Sequence, residues 1–256
     1  MNRHFLKYIF FIASLSGILS CSTPVHITER KTSMVAVNEQ THPAQDSAML
    51  LDIAPYKSKL DAVMNEILVQ SDEAMVKGTP ESNLSNLLCD LTIKKTNDKL
   101  QSADGMTAQI CVMNSGGIRT TIPKGAVTRG RIFEVMPFEN EIVVLTLSGE
   151  KTAELLDLIA IKGGAPVGGV RFGIRDAKAV NITVNGEAFD IKKNYTICTS
   201  DYLANGGDNL TCFANPIKRV NLSYKLRDAI IEYCIEVNKA GKTLNNKVDG
   251  RIYFEK

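Results

Sequence analysis

Ala108-Gln-Ile-Cys-Val-Met-Asn-Ser-Gly-Gly-Ile-Arg119 runs from a short apolar stretch into two adjacent glycines. Residues 108–113, bounded by Gly105 and Gly116, have the length and apolarity of a buried strand, which would deliver Asn114 to a loop. Comparable strand signals lie at 142–147, 170–174, 179–184, 188–191, 195–199 and 251–254. Asn185-Gly186 is placed for a tight hairpin turn between two of them.

Helical signals alternate with these strands. Pro80-Glu81-Ser82 precedes Leu84, Leu87, Leu88 and Leu91, the expected order of entry proline, capping hydroxyl and apolar stripe. Ser148-Gly149 leads into a helix carrying Ala153, Leu155, Leu156 and Ile159, and residues 222–237 have helical apolar spacing. Tyr56, Leu60, Val63, Met64, Ile67 and Leu68 predict a first helix that buries one face. The Gly163 to Gly169 stretch predicts a loop. Helices mixed with local hairpins point to an α/β (α+β) layered domain, with mixed sheets flanked by helices, over a regular βαβ repeat.

The amino end reads differently. A basic start (Arg3, His4, Lys7), an apolar run over residues 8–15 and Leu19-Ser20-Cys21 predict a lipoprotein signal peptide over 1–20, with Cys21 as the lipidated residue. The apolar run is shorter than the roughly 20 residues that span a bilayer. Residues 21–49, rich in Thr, Ser, Gln, Glu, Lys and Asn, predict a flexible tether. Residues 50–256 are then long enough for one domain with a substantial core.

Composition excludes several functions. The formal net charge is +2 over 256 residues, so no electrostatic footprint for nucleic acid is indicated. The three histidines, His4, His26 and His42, all precede the predicted domain. Most hydrolytic chemistries, whether on two metal ions or through a Ser-His or Cys-His pair, need an imidazole as ligand or base, so no catalytic residue and no metal ligand is assigned to the domain. Beyond Cys21, the five cysteines Cys89, Cys111, Cys198, Cys212 and Cys234 form no CxxC pair. Buried thiols are the favoured reading, with one bridge left open.

Two glycine-punctuated loops and one proline-led aromatic carry the chemistry instead. Gly116 and Gly117 let backbone amides approach a ligand closely, and Arg119 offers a planar fork for phosphate or carboxylate. By itself this segment is equally well a turn with a surface arginine. In Met136-Pro137-Phe138-Glu139-Asn140, proline restricts the backbone ahead of a ring that could face a ligand or fill the core. In Asp201-Tyr-Leu-Ala-Asn-Gly-Gly-Asp208, Tyr202 supplies a second ring, and Asp208, released by Gly206 and Gly207, can accept the hydroxyls of a diol. Two rings, an arginine, an asparagine and an aspartate beside glycines suit a nucleoside phosphate.

These three segments, in this order and spacing, resemble the C-terminal, substrate-binding domain of the 5'-nucleotidase family. Pro80-Glu81-Ser82-Asn83-Leu84-Ser85-Asn86-Leu87-Leu88-Cys89-Asp90 looks like the helix that opens that domain, and the likeness covers about residues 50–256. The resemblance implies that Phe138 and Tyr202 sandwich the base and that Asn114 hydrogen-bonds it. It also implies that Asp208 holds the ribose hydroxyls and that Arg119 reaches toward ribose and phosphate. Where family members commonly carry a further phosphate-facing arginine, this chain has Gly78, with Lys77 beside it. Lysine is a point charge rather than a fork.

The family's metallophosphoesterase domain has no counterpart in the sequence before residue 50. The expectation is a lipid-anchored, exported binding half of a split 5'-nucleotidase. It would need no cofactor in this chain, the divalent metals belonging to a separately encoded metallophosphoesterase. The alternatives are a capture module for nucleosides or nucleotides without a catalytic partner, and a structural or interaction protein with a degenerate pocket.

Overall fold

A computed structural model describes residues 28–36, 46–100 and 105–255. Cys21 and the whole predicted signal segment lie outside the described residues. The chain divides into two compact units, Met1–Leu50 and Leu51–Lys256. In the first, residues 28–36 are exposed and have neither helix nor strand. No helix among the described residues is long and apolar enough to cross a membrane.

The second unit is built on a five-stranded sheet. Its strands are β2 (Ile110–Val112), β4 (Glu141–Ser148), β5 (Val167–Gly168), β9 (Asn194–Ser200) and β10 (Lys218–Lys225), in the order β10-β4-β9-β2-β5. β2 and β9 are parallel neighbours, with Ile110 opposite Ile197 and Cys111 opposite Cys198, while β4 runs antiparallel to β9. A four-stranded sheet orders β11 (Ile252–Phe254), β6 (Val170–Arg175), β7 (Lys178–Val184) and β8 (Glu187–Ala188). A small antiparallel pair joins β1 (Ile67–Ser71) to β3 (Gly125–Thr128).

Strand alternation divides the core into two layers, because successive side chains point to opposite faces. Cys111, Ile142, Val144 and Cys198 join one cluster, with Leu84, Leu88 and Leu91 of α2 (Asn83–Lys99) and Ala229, Ile230 and Cys234 of α6 (Leu226–Lys239). Ile110, Val143, Leu145 and Ile197 face the other way. They pack with Leu155, Leu156 and Ile159 of α4 (Gly149–Ile161) and with Phe172 of β6. All five cysteines beyond Cys21 are free and buried.

Local signals explain the boundaries. Ser82 caps α2 by accepting the Ser85 amide, and Ser148 caps α4 by accepting that of Lys151. Thr128 caps the short α3 (Arg129–Val135) in the same way, through the Arg131 amide. The β7–β8 hairpin turns on Asn185 and Gly186, with φ of 50° and 84°. Several expectations fail: the Gly163 to Gly169 stretch, expected as a loop, contains the two-residue β5, and of the strand expected over 188–191 only Ala188 belongs to β8. Helix α1 (Ser47–Met64) exists but buries no residue, and Ile67 and Leu68, expected on its face, belong to β1. The run 222–237 divides at Lys225, its first four residues closing β10 before α6 begins at Leu226. There the half-buried Val220 and Leu222 and the buried Tyr224 alternate with exposed neighbours, which is a strand period.

Candidate functional site

Sheet topology brings the three sequence motifs together. β2 and β9 point the same way side by side, so their carboxyl ends release the 114–119 and 201–208 loops at one sheet edge. β4 begins at that edge, with Ile142 opposite Ser200, so the 136–140 loop preceding it arrives there too. Such an edge, beyond the carboxyl ends of strands, is where open sheets expose loop backbone for ligands.

Each loop is fixed locally. Asn114 starts a single 3-10 turn, Ser115–Gly117, whose Gly117 amide donates to the Asn114 carbonyl at 3.1 Å. A Cβ on Gly117 would lie 2.7 Å from Asn114 Oδ1, so the asparagine side chain occupies the space glycine leaves. Thr199 Oγ1 donates to the Val112 carbonyl at 2.8 Å, tying β9 to β2 just before the loops diverge. Ser200 then caps α5 (Asp201–Ala204), which presents Tyr202, and Gly206, with φ of 92°, reverses the chain toward Asp208.

The outcome is a cleft of about 360 Å³ lined by Asn114, Gly116, Phe138, Asn140, Tyr202 and Asp208. Phe138 and Tyr202 are 44 % and 46 % exposed, which leaves ring surface free to meet a ligand. Tyr202 Oη donates to Asp208 Oδ1 at 2.9 Å. Gly207 passes directly behind the Tyr202 ring, where a Cβ would come within 2.5 Å of Cε1. A second compartment of about 190 Å³ shares Asn114, Gly116 and Asp208 with the first.

Of the expected residues, Asn114, Gly116, Phe138, Tyr202 and Asp208 line the cleft, whereas Gly117, Gly206 and Gly207 belong to its loops without lining it. Arg119 lines neither compartment. It is exposed, with Nη1 donating to the Gly116 carbonyl at 3.1 Å. Lys77 lines neither compartment either. Asn140 is an addition the sequence reading did not single out, and its amide sets a second hydrogen-bonding group beside the two rings.

Arg227, on α6, is a second addition. Nearly buried at 5 % exposure, it donates from Nη1 to the Pro137 carbonyl at 3.0 Å and pairs through Nη2 with Glu139. Its guanidinium lies 4.0 Å from the Phe133 ring centroid. Lys225 also bonds Glu139, and hydrogen bonds from Lys225 and Arg227 hold the Glu139 carboxyl below its usual range. Phe138 is thus carried on a loop pinned at Pro137 and Glu139 by two cations from the junction of β10 and α6. No sequence spacing signals this, because the partners lie about ninety residues apart.

Among the described residues no group of three or more His, Cys, Asp or Glu side chains is placed to hold a metal ion. The 5'-nucleotidase C-terminal domain family matches residues 64–215, more than half of the chain. The chain belongs to that family.

The chain is 28% identical over 250 residues to a trifunctional nucleotide phosphoesterase of Bacillus subtilis, covering 89% of this chain and 16% of that protein. It is 25% identical to a 5'-nucleotidase of Vibrio parahaemolyticus, covering 66% of this chain and 30% of that one. A solved 5'-nucleotidase precursor from Thermus thermophilus superposes with a TM-score of 0.67 at 28% identity, over 82% of this chain and 43% of its own. The chain therefore spans less than half the length of each of these relatives. As a 5'-nucleotidase C-terminal domain it has the mixed α/β architecture the sequence predicted.

Proposed function

We propose that this 5'-nucleotidase C-terminal domain binds nucleosides and nucleoside phosphates in the Phe138–Tyr202 cleft and presents them to a separately encoded metallophosphoesterase. The observation that carries the reading is the convergence of two half-exposed rings, two side-chain amides and Asp208 on one cavity. A base stacks on ring faces, and stacking with alanine-substitution values of about 1–3 kcal/mol tolerates any base. Asn114 and Asn140 meet base-edge donors and acceptors, and Asp208 accepts the ribose diol. Arg119, tethered through Nη1 to the Gly116 carbonyl, has further donors to offer a 5'-phosphate at the rim.

In this reading the partner supplies the divalent metals and the activated water, and hydrolysis follows docking at the face that carries Arg119 and Asp208. Export and lipidation at Cys21 would set that assembly on a membrane surface. The chain alone should turn over no AMP.

The test is calorimetric titration of the full chain with AMP, adenosine and phosphate, repeated on Phe138→Ala and Asp208→Ala. Both substitutions should abolish or strongly weaken nucleoside binding, and addition of the phosphoesterase should start turnover. Binding that survives both substitutions would refute the cleft as the site. Tight binding with no phosphoesterase able to draw turnover from the bound nucleotide would favour a capture module.

A further inference from the structure

We propose that the second compartment, with Lys162 at its rim, takes a phosphate carried on the 2',3' edge of a bound pentose. The inference rests on the nucleoside reading of the Phe138–Tyr202 cleft and adds a second anion site to it. The two compartments share Asn114, Gly116 and Asp208, so a sugar whose hydroxyls reach Asp208 has its diol edge at the wall between them. C5' projects from the ring face opposite the two hydroxyls, which sends a 5'-phosphate away from this compartment and leaves substituents of the diol facing it.

The compartment's charge suits such a group. Its floor is apolar, from Ile159, Leu203 and Leu210, and the ionisable side chains lining it are Lys162 and Asp208. Lys162 Nζ is held at 3.0 Å from the main-chain carbonyl of Asp208 and, among the described residues, forms no ion pair with a carboxylate. An ammonium has three donors, so two remain for an incoming anion, and its charge offsets the Asp208 carboxylate that would otherwise repel a phosphate.

One wall of the compartment is backed by tight backbone packing. Gly164 lines the compartment with φ of 123°, and a Cβ there would lie 2.4 Å from the Pro80 carbonyl. The Pro80 segment therefore seats directly against the loop that Lys162 opens.

The deciding experiment titrates the full chain with adenosine, 5'-AMP and 3'-AMP, on the natural protein, Lys162→Gln and Lys162→Arg. One charge-assisted hydrogen bond corresponds to about a tenfold change in affinity or more. The expected result is that Lys162→Gln weakens 3'-AMP by about tenfold, changes adenosine and 5'-AMP by less than about twofold, and that Lys162→Arg retains most of the 3'-AMP affinity. Unchanged 3'-AMP affinity in Lys162→Gln overturns the inference and leaves the cleft intact. Equal loss for 5'-AMP also overturns it, by assigning the lysine to the other phosphate. Failure of adenosine to bind the natural protein removes the nucleoside reading itself, and the second site with it.

Discussion

The Tyr202 hydroxyl donates to Asp208 Oδ1 at 2.9 Å and accepts the Asp208 amide at 3.3 Å, so the ring proposed to stack on a base also orients the carboxylate proposed to meet a ribose. The geometry is local and unusual in its backbone. Asp208 has φ of 54°, a left-handed conformation that aspartate tolerates better than most residues. Two binding elements six residues apart are thereby set as one unit.

Replacing Tyr202 by Phe separates their contributions. The ring face remains, so stacking persists, but Asp208 loses a donor that positions it. A hydrogen bond of this kind contributes about 0.5–1.5 kcal/mol. Adenosine affinity should fall by roughly twofold to tenfold, while a 2',3'-dideoxy analogue, which makes no diol contact, should bind both forms equally. Equal losses for both ligands in calorimetric titration would show that the hydroxyl does not act through Asp208.

The glycines of the two loops should respond differently to alanine. At Gly207 a Cβ would lie 2.5 Å from Tyr202 Cε1 and 2.6 Å from its carbonyl oxygen, and one of those neighbours is backbone that cannot swing aside. At Gly116 the nearest heavy atom would be Asn114 Nδ2 at 3.7 Å, an ordinary van der Waals contact. Gly207→Ala should displace the ring and weaken adenosine by an order of magnitude or more, since about 1–3 kcal/mol of stacking depends on it. Gly116→Ala should leave the melting temperature unchanged. A Gly207→Ala protein with full affinity would sink the assignment of the ring.

How far the sequence discloses this arrangement depends on the range of the interaction. Ser82, Ser148 and Asn185-Gly186 act within a few residues, and the elements they start or turn appear where expected. Helical spacing through Tyr56, Leu60, Val63, Ile67 and Leu68 was misleading because it continues across the helix end at Met64 into a strand. The three cleft motifs were legible because each is a contiguous loop at the end or beginning of an apolar strand. Asn140 was passed over beside the more conspicuous Phe138, and Arg227 had no local signature, its partners being carbonyls and a carboxylate on a distant loop.

Arg227 offers a test of that distant support. Its guanidinium caps the Pro137 carbonyl and pairs with Glu139, and Arg227→Met would keep most of the packing on Phe133 while removing that donor from the Pro137 carbonyl and leaving Glu139 to Lys225 alone. Because Glu139 is itself exposed, the loss belongs nearer about 1–3 kcal/mol than the larger cost of a fully buried pair. Thermal or denaturant unfolding should show that loss, and adenosine affinity should fall with it because the Phe138 loop is no longer held. A variant destabilised to this extent but unchanged in affinity would confine Arg227 to the core.

The same loop should respond to acid. Hydrogen bonds from Lys225 and Arg227 lower the Glu139 carboxyl below its ordinary value of 4.5, so its favourable contribution is complete above that value and is lost as pH falls through the lower folded value. Lys225, raised above 10.5 chiefly by its hydrogen bond to Glu139, behaves oppositely: its contribution is present below 10.5 and disappears as pH rises through the higher folded value. Other carboxylates, Glu236 and Asp249 among them, are also lowered, so total acid sensitivity does not isolate the loop. The informative quantity is the difference between the natural protein and Glu139→Gln. That difference in melting temperature should favour the natural protein at neutral pH and close as the solution is acidified below the ordinary carboxylate range. The natural protein's advantage in adenosine affinity should close over the same interval, because a protonated carboxyl at this position is as neutral as the amide that replaces it. A difference that stays constant into strong acid would mean that Glu139 does not hold the Phe138 loop through its charge.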